Sequence, residues 1–66
     1  DPLEHYRAIA QFASESLPAG GNLWVEINEQ FGQDTCKLFE GLGFEQCRII
    51  KDIHGKDRFV NAMAPI

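Results

Sequence analysis

The order of turn and periodicity signals predicts an α/β fold: helix, strand, helix, strand, strand, with the last strand antiparallel to the other two. Three observations carry this reading. Apolar residues recur every three or four positions in two segments, three short runs are rich in β-forming residues, and Gly or Pro stands between nearly all of them. A right-handed crossover through the second helix makes the first two strands parallel, and a hairpin reverses the third.

Asp1, Pro2 and Glu4 form a helix-start signature: a side-chain acceptor, a ring that presets the first helical φ, and an acid where the helix dipole favours it. Leu3, Tyr6, Ala10, Ala13 and Leu17 then make one apolar stripe with Ile9 beside it, so the first helix ends near Leu17. Pro18, Ala19, Gly20 and Gly21 stop it, because Pro cannot continue the ladder and the glycines permit a positive-φ turn. Leu23 to Ile27 (LWVEI) is a nearly continuous run of β-formers, the pattern of a central strand covered on both faces. Phe31, Thr35, Leu38, Phe39 and Leu42 return to helical spacing, with Gly41 and Gly43 as the stop. Phe44 leads into a second strand, Cys47 to Lys51, and a third lies at Phe59 to Met63. Between them Ile53, His54, Gly55, Lys56 and Asp57 read as a five-residue hairpin loop in which Gly55 takes the awkward dihedral.

Sixty-six residues, 44% hydrophobic and 24% charged, allow one globular domain and exclude a self-contained large enzyme. A chain of this size buries only about 60% of its unfolded surface, so a disulfide, a metal or a partner is the usual support. Cys36 and Cys47 form no CxxC pair and no His stands at zinc-finger spacing, so neither staple is indicated. Free thiols fit a reducing compartment, and the cytoplasm is the expected location. No signal-like segment and no apolar run near 18 residues is present, which predicts neither secretion by that route nor a membrane span. Ten acidic residues against six basic ones give a net charge of −4, with no Lys/Arg stripe to follow a phosphate backbone. Nucleic acid is therefore not expected as a direct partner. The chain opens on Asp1-Pro2 with no initiator Met, as expected of a piece of a longer protein. LWVEI as a central strand needs neighbours on both edges, and only two other strands are available; its free edge is expected to self-associate or to receive strands from elsewhere.

Chemistry-bearing residues are sparse. Gly20 and Gly21 follow a helix and precede a strand, the reverse of a phosphate loop, and read as a turn. Glu26 stands near the carboxyl end of the predicted central strand, where ligands bind in open α/β sheets. Asn28 and Glu29 follow it in a polar loop with Gln30 and Gln33. Glu26, Asn28 and Glu29 are the candidate substrate-cleft residues, a solvated strand end being the plainer alternative. Asp52, His54, Asp57 and Arg58 gather types used in acid/base work and metal ligation, yet turn composition accounts for them: Asp52 or Asp57 bonding turn amides and pairing with Arg58 or Lys51. His5 reads as a surface residue. Cys36 and Cys47 read as small buried hydrophobes, with no basic neighbour in sequence to lower a thiol pKa, and the aromatic residues read as core. No residue is assigned as catalytic, cofactor-binding or metal-ligating.

Several segments together resemble a known family. LPAGGNLWVEI is similar to the passage of helix, Pro-x-Gly-Gly and buried strand before the fifth strand of class I S-adenosylmethionine-dependent methyltransferases. Asp1-Pro2-Leu3, Tyr6-Arg7 with Ile9, Glu26-Ile27, Gly32 and Leu42-Gly43-Phe44 narrow it. The most specific part is Lys51-Asp52-Ile53-His54-Gly55-Lys56-Asp57-Arg58-Phe59-Val60. Together these resemble the carboxyl-terminal part of HemK-type protein-(glutamine-N5) methyltransferases, which modify the Gln of the Gly-Gly-Gln motif in peptide chain release factors.

The resemblance implies that residues 1–66 are the C-terminal portion of a Rossmann-like, seven-stranded methyltransferase domain, with the final antiparallel strand inserted between the strands at Leu23 and Cys47. It implies an enzyme as parent, S-adenosylmethionine as its cofactor and peptide chain release factors as its partners. The family's glycine-rich cofactor loop, acidic ribose-binding residue and Asn-Pro-Pro-Tyr motif lie upstream of the matching region. None is carried onto a residue here, and the isolated chain is expected to be an inactive scaffold. Two positions depart from the family pattern: Asn28 where Gly commonly follows Glu-Ile, and Phe31 where Gln commonly precedes the later Gly. The alternative is a small autonomous α/β protein-interaction module acting through an exposed sheet edge. A third reading is a related methyltransferase acting on another protein glutamine or a nucleobase.

Overall fold

The computed structural model describes residues Asp1–Ile66. It contains α1 (Glu4–Ser16), β1 (Asn22–Glu26), a 3₁₀ turn (Glu29–Phe31), α2 (Gly32–Gly41), β2 (Glu45–Lys51) and β3 (Asp57–Met63). The predicted element order holds. The strands form one sheet of order β1-β3-β2 with β3 antiparallel to both neighbours, so the last strand does lie between the first two.

The helix ends explain where sequence and structure part by a few residues. Asp1 is not the cap of α1: its Oδ1 accepts the Leu3 N–H at 3.0 Å and its Oδ2 accepts from Arg7 Nη1 at 2.6 Å. The acid thus closes a turn ahead of the helix, which starts at Glu4 rather than at Pro2. α2 ends as Gly43, at φ +96°, donates its N–H to Glu40 at 3.0 Å and Phe44 donates to Phe39 at 3.0 Å. This pair of bonds satisfies carbonyls that the helix end would orphan and requires the left-handed conformation that Gly adopts without strain. β2 begins at Glu45, two residues before the expected start. Its first part carries a bulge, since Glu45 faces Met63 and Arg48 faces Asn61, and Gln46 has φ +52° there.

The core lies on one face of the sheet. Val25 of β1 and Val60 and Ala62 of β3, joined by Ile27, Phe44 and Ala64, are buried together with Tyr6, Ala10 and Ala13 of α1 and Phe39 of α2. The predicted stripe of α1 is therefore its buried face. Thr35 Oγ1 in α2 is buried without a hydrogen-bond partner. Both helices cover this face. By register, the opposite face presents Asn22, Trp24 and Glu26, then Met63, Asn61 and Phe59, then Arg48 and Ile50, and no element of the chain packs over it.

Within this chain LWVEI is covered on one face only, and its free edge is the one expected from the sequence. β1 is an edge strand whose Val25 is 7% exposed while Trp24 beside it is 54% exposed. The run is continuous in composition because residues of both parities are apolar, yet only one parity meets a helix in this chain.

Candidate functional site

β1 runs out at Glu26, and the chain turns immediately. The Ile27 N–H donates to the Arg58 carbonyl at 2.8 Å, which ties this point to β3. Asn28 Oδ1 accepts the Gln30 N–H at 3.2 Å, and the Asn28 carbonyl accepts the Phe31 N–H at 2.9 Å. An Asn side chain that bonds two residues onward is the ordinary device for opening such a turn. Glu29 occupies its first position. The structure thus places Glu26, Asn28 and Glu29 together at the carboxyl end of β1, all exposed. It does not join them: no hydrogen bond or ion pair links the three, and no pocket opens beside them.

Two features on the open face of the sheet were not singled out from sequence. Phe59, 37% exposed, stands directly across from Glu26 on β3. Asn61, 5% exposed, accepts from Arg48 Nε at 3.2 Å and donates to Asn22 Oδ1 at 3.3 Å and to the Leu23 carbonyl at 3.2 Å, spanning all three strands. The alternation of Phe59, Asn61 and Met63 carried this signal, because period two puts all three on the face the helices leave open.

The charged hairpin resolves into a structural clasp. Asp52 Oδ1 accepts the N–H groups of His54 at 2.8 Å and Lys56 at 3.1 Å, while Oδ2 accepts from Arg58 Nη2 at 3.1 Å. These bonds, the Lys56 amide first, hold the Asp52 carboxyl below the usual carboxylate range, with partial burial opposing them. Gly55 takes φ +78° at the tip, as expected. Asp57 Oδ1 pairs with Lys51 Nζ. The expected pairings of Asp52 and Asp57 are both present, and the loop runs one residue earlier than predicted because Asp57 already belongs to β3. His54 contributes only its backbone N–H to these bonds, so the four residues do not converge as an acid/base group.

No group of three His, Cys, Asp or Glu side chains is placed to hold a metal ion. Burial, with Glu40 adding to it, pushes the Cys36 thiol up, and burial followed by Cys36 and Glu40 pushes Cys47 up to about 11. Both thiols are therefore protonated at neutral pH and behave as small hydrophobes at the edge of the core.

Comparison with known proteins bears on this geometry. No protein-family model matches the chain. It is 47% identical over 62 residues to the release factor glutamine methyltransferase of Bacteroides thetaiotaomicron, 94% of this chain and 22% of that protein. The enzymes of the same name from Flavobacterium psychrophilum and Cereibacter sphaeroides are each 38% identical, over 91% and 98% of this chain and 21% and 23% of their own lengths. A solved structure, the release factor-specific protein-(glutamine-N5) methyltransferase of Alicyclobacillus acidocaldarius, superposes with a TM-score of 0.67 over 97% of this chain and 41% of that one. At 23% identity this last likeness supports the fold. The chain spans about a fifth of the length of the curated relatives it matches, and across that fifth its sequence belongs to the release factor glutamine methyltransferase family.

Proposed function

We propose that residues 1–66 are the C-terminal portion of an S-adenosylmethionine-dependent methyltransferase that transfers a methyl group to a glutamine side-chain nitrogen of peptide chain release factors in the cytoplasm. The observation that carries this is identity of 38–47% to enzymes of that name over 91–98% of the chain. The aligned stretch covers nearly the whole chain rather than one segment of it. No helix is long and apolar enough to cross a membrane.

Within that enzyme the chain acts as scaffold. It supplies three strands, the two helices that cover one face, and the turn of Glu26, Asn28 and Glu29 on the cleft side. Its one Gly-Gly pair turns from α1 into β1, where Gly20 donates to the Ala64 carbonyl at 3.1 Å, the reverse of the order in a phosphate loop. The autonomous interaction module draws its support from the open β1 edge alone, and none from the relatives.

The test is calorimetric titration of the isolated chain with S-adenosylmethionine. No heat of binding is expected, and micromolar affinity would overturn the scaffold reading.

A further inference from the structure

The hairpin is the most specific segment of the sequence, yet scaffold duty at a sheet edge does not explain why it carries two acid–base pairs. Its geometry does. Asp57 and Arg58 are adjacent, and each touches one end of the turn that follows β1. The Arg58 carbonyl accepts the Ile27 N–H at 2.8 Å, immediately before Asn28. The Asp57 carboxylate lies against Gly32, immediately after Phe31: a Cβ built on Gly32 would stand 2.9 Å from Asp57 Oδ2. The other carboxylate oxygen is held by Lys51, so Asp57 cannot swing away freely. Asp52 fixes the same segment from the opposite side, binding Arg58 through Nη2 at 3.1 Å and the loop amides through Oδ1.

We propose that the Lys51–Arg58 hairpin positions the turn Asn28–Phe31, with Asp57 as the positioning residue: its carboxylate, anchored by Lys51, seats the start of α2 through Gly32 and so sets where Asn28 and Glu29 stand. The proposal rests on the reading that this turn faces the substrate cleft. It assigns the charged hairpin a task 20 or more residues away in sequence, carried by one backbone hydrogen bond and by the close approach of the Asp57 carboxylate to Gly32. Gly32 is required because the carboxylate occupies the space a side chain would need. Its φ of −58° is open to any residue.

The test separates the proposal from the reading beneath it. In ¹⁵N-resolved spectra of the 66-residue chain, Asp57→Ala is expected to shift the amides of Gln30, Phe31 and Gly32 and to raise Phe31 amide exchange about tenfold, the scale of losing local protection. Asp57→Asn, which keeps an oxygen over Gly32, restores much of that protection. Lys51→Met, which leaves Asp57 intact but unanchored, moves the same amides less. Lys56→Ala, whose side chain makes neither contact, leaves them in place. Shifts confined to residues 51–58 in both Asp57→Ala and Lys51→Met would overturn the proposal. In a full-length release factor glutamine methyltransferase carrying these residues, Asp57→Ala is then expected to raise KM for the release factor about tenfold with a smaller change in kcat. Moved amides with unchanged kinetics would uphold the positioning and remove the cleft reading.

Discussion

Two glycines in one helix are expected to respond in opposite directions to the same substitution. Gly32 and Gly41 open and close α2, and a methyl group at Gly41 would meet nothing within 4 Å. Gly41→Ala therefore gains only the backbone-entropy advantage of Ala over Gly, about 0.5 kcal/mol at a helix end. At Gly32 the methyl would lie 2.9 Å from Asp57 Oδ2, 3.2 Å from Ile49 Cδ1 and 3.3 Å from Ile27 Cδ1. Three tight contacts at once, two with side chains of the core and its margin and one with an anchored carboxylate, amount to overpacking of about 1–3 kcal/mol. Less the same entropy gain, the net loss is about 0.5–2.5 kcal/mol. For a domain this small, about 1 kcal/mol moves Tm by roughly 4–8 °C, so thermal unfolding followed by circular dichroism resolves both changes. Gly41→Ala should raise Tm by about 2–4 °C and Gly32→Ala should lower it by about 2 °C or more, the loss shrinking in an Asp57→Ala background because the tightest contact is gone. Equal shifts of the same sign would refute the packing argument, and an unchanged Gly32→Ala loss without Asp57 would remove Asp57 from it.

Thr35→Val replaces a buried hydroxyl that has no partner with a methyl of the same shape, and should raise stability by about 1 kcal/mol in urea denaturation; a loss would mean that the hydroxyl is bonded after all. Cys47, its thiol pushed up to about 11, should react with iodoacetamide at neutral pH about a hundredfold more slowly than an exposed cysteine, and alkylation at the ordinary rate would contradict its burial. Because the folded chain holds that proton more tightly than the unfolded one, the thiol favours folding fully below the ordinary thiol range, and the contribution is lost as pH rises through about 11. Trp24→Lys places a charge on the outward face of the open edge strand and should weaken concentration-dependent association in sedimentation velocity, whereas a wild-type chain monomeric at every concentration would show that the edge does not self-pair.

Element order was legible because it rests on local chemistry, whereas the place of the last strand between the other two came from the family resemblance alone. Tyr6, Ala10 and Ala13 announce one helix face by spacing, Gly20 and Gly43 mark turns, and a five-residue connection forces the last two strands to be antiparallel. What was not legible depends on which elements meet. The exposure of Trp24 could not be read from LWVEI, because composition says that a face is apolar and not whether anything covers it. The bulge at Gln46 was hidden for a similar reason: it reconciles the exit from α2 with the register of β3, and neither is a local property. At the candidate site, the carboxyl end of β1 placed Glu26, Asn28 and Glu29 correctly as neighbours along the chain. The commitment of Asn28 Oδ1 to the Gln30 amide and the approach of Asp57 to Gly32 are tertiary facts with no spacing signature.

Asn61 shows how the sheet keeps its register although one face is bare. On the helix-facing side, Val60 and Ala62 hold β3 by burial. On the other side no packing layer constrains it, and the strand would be free to pair loosely there. Asn61 supplies the missing constraint by bonding Arg48 on β2 and both Asn22 and the Leu23 carbonyl on β1. A slip of one residue would turn this amide into the core between the helices and leave it unpaired, at a cost of about 1–3 kcal/mol, while turning Val60 out to solvent. The polar residue in the middle of β3 thus works as a pin, and the apolar residues around it, Trp24, Phe59 and Ile50, are left as surface. The sheet is held in register by burial on the helix-covered face and by one satisfied amide on the open face.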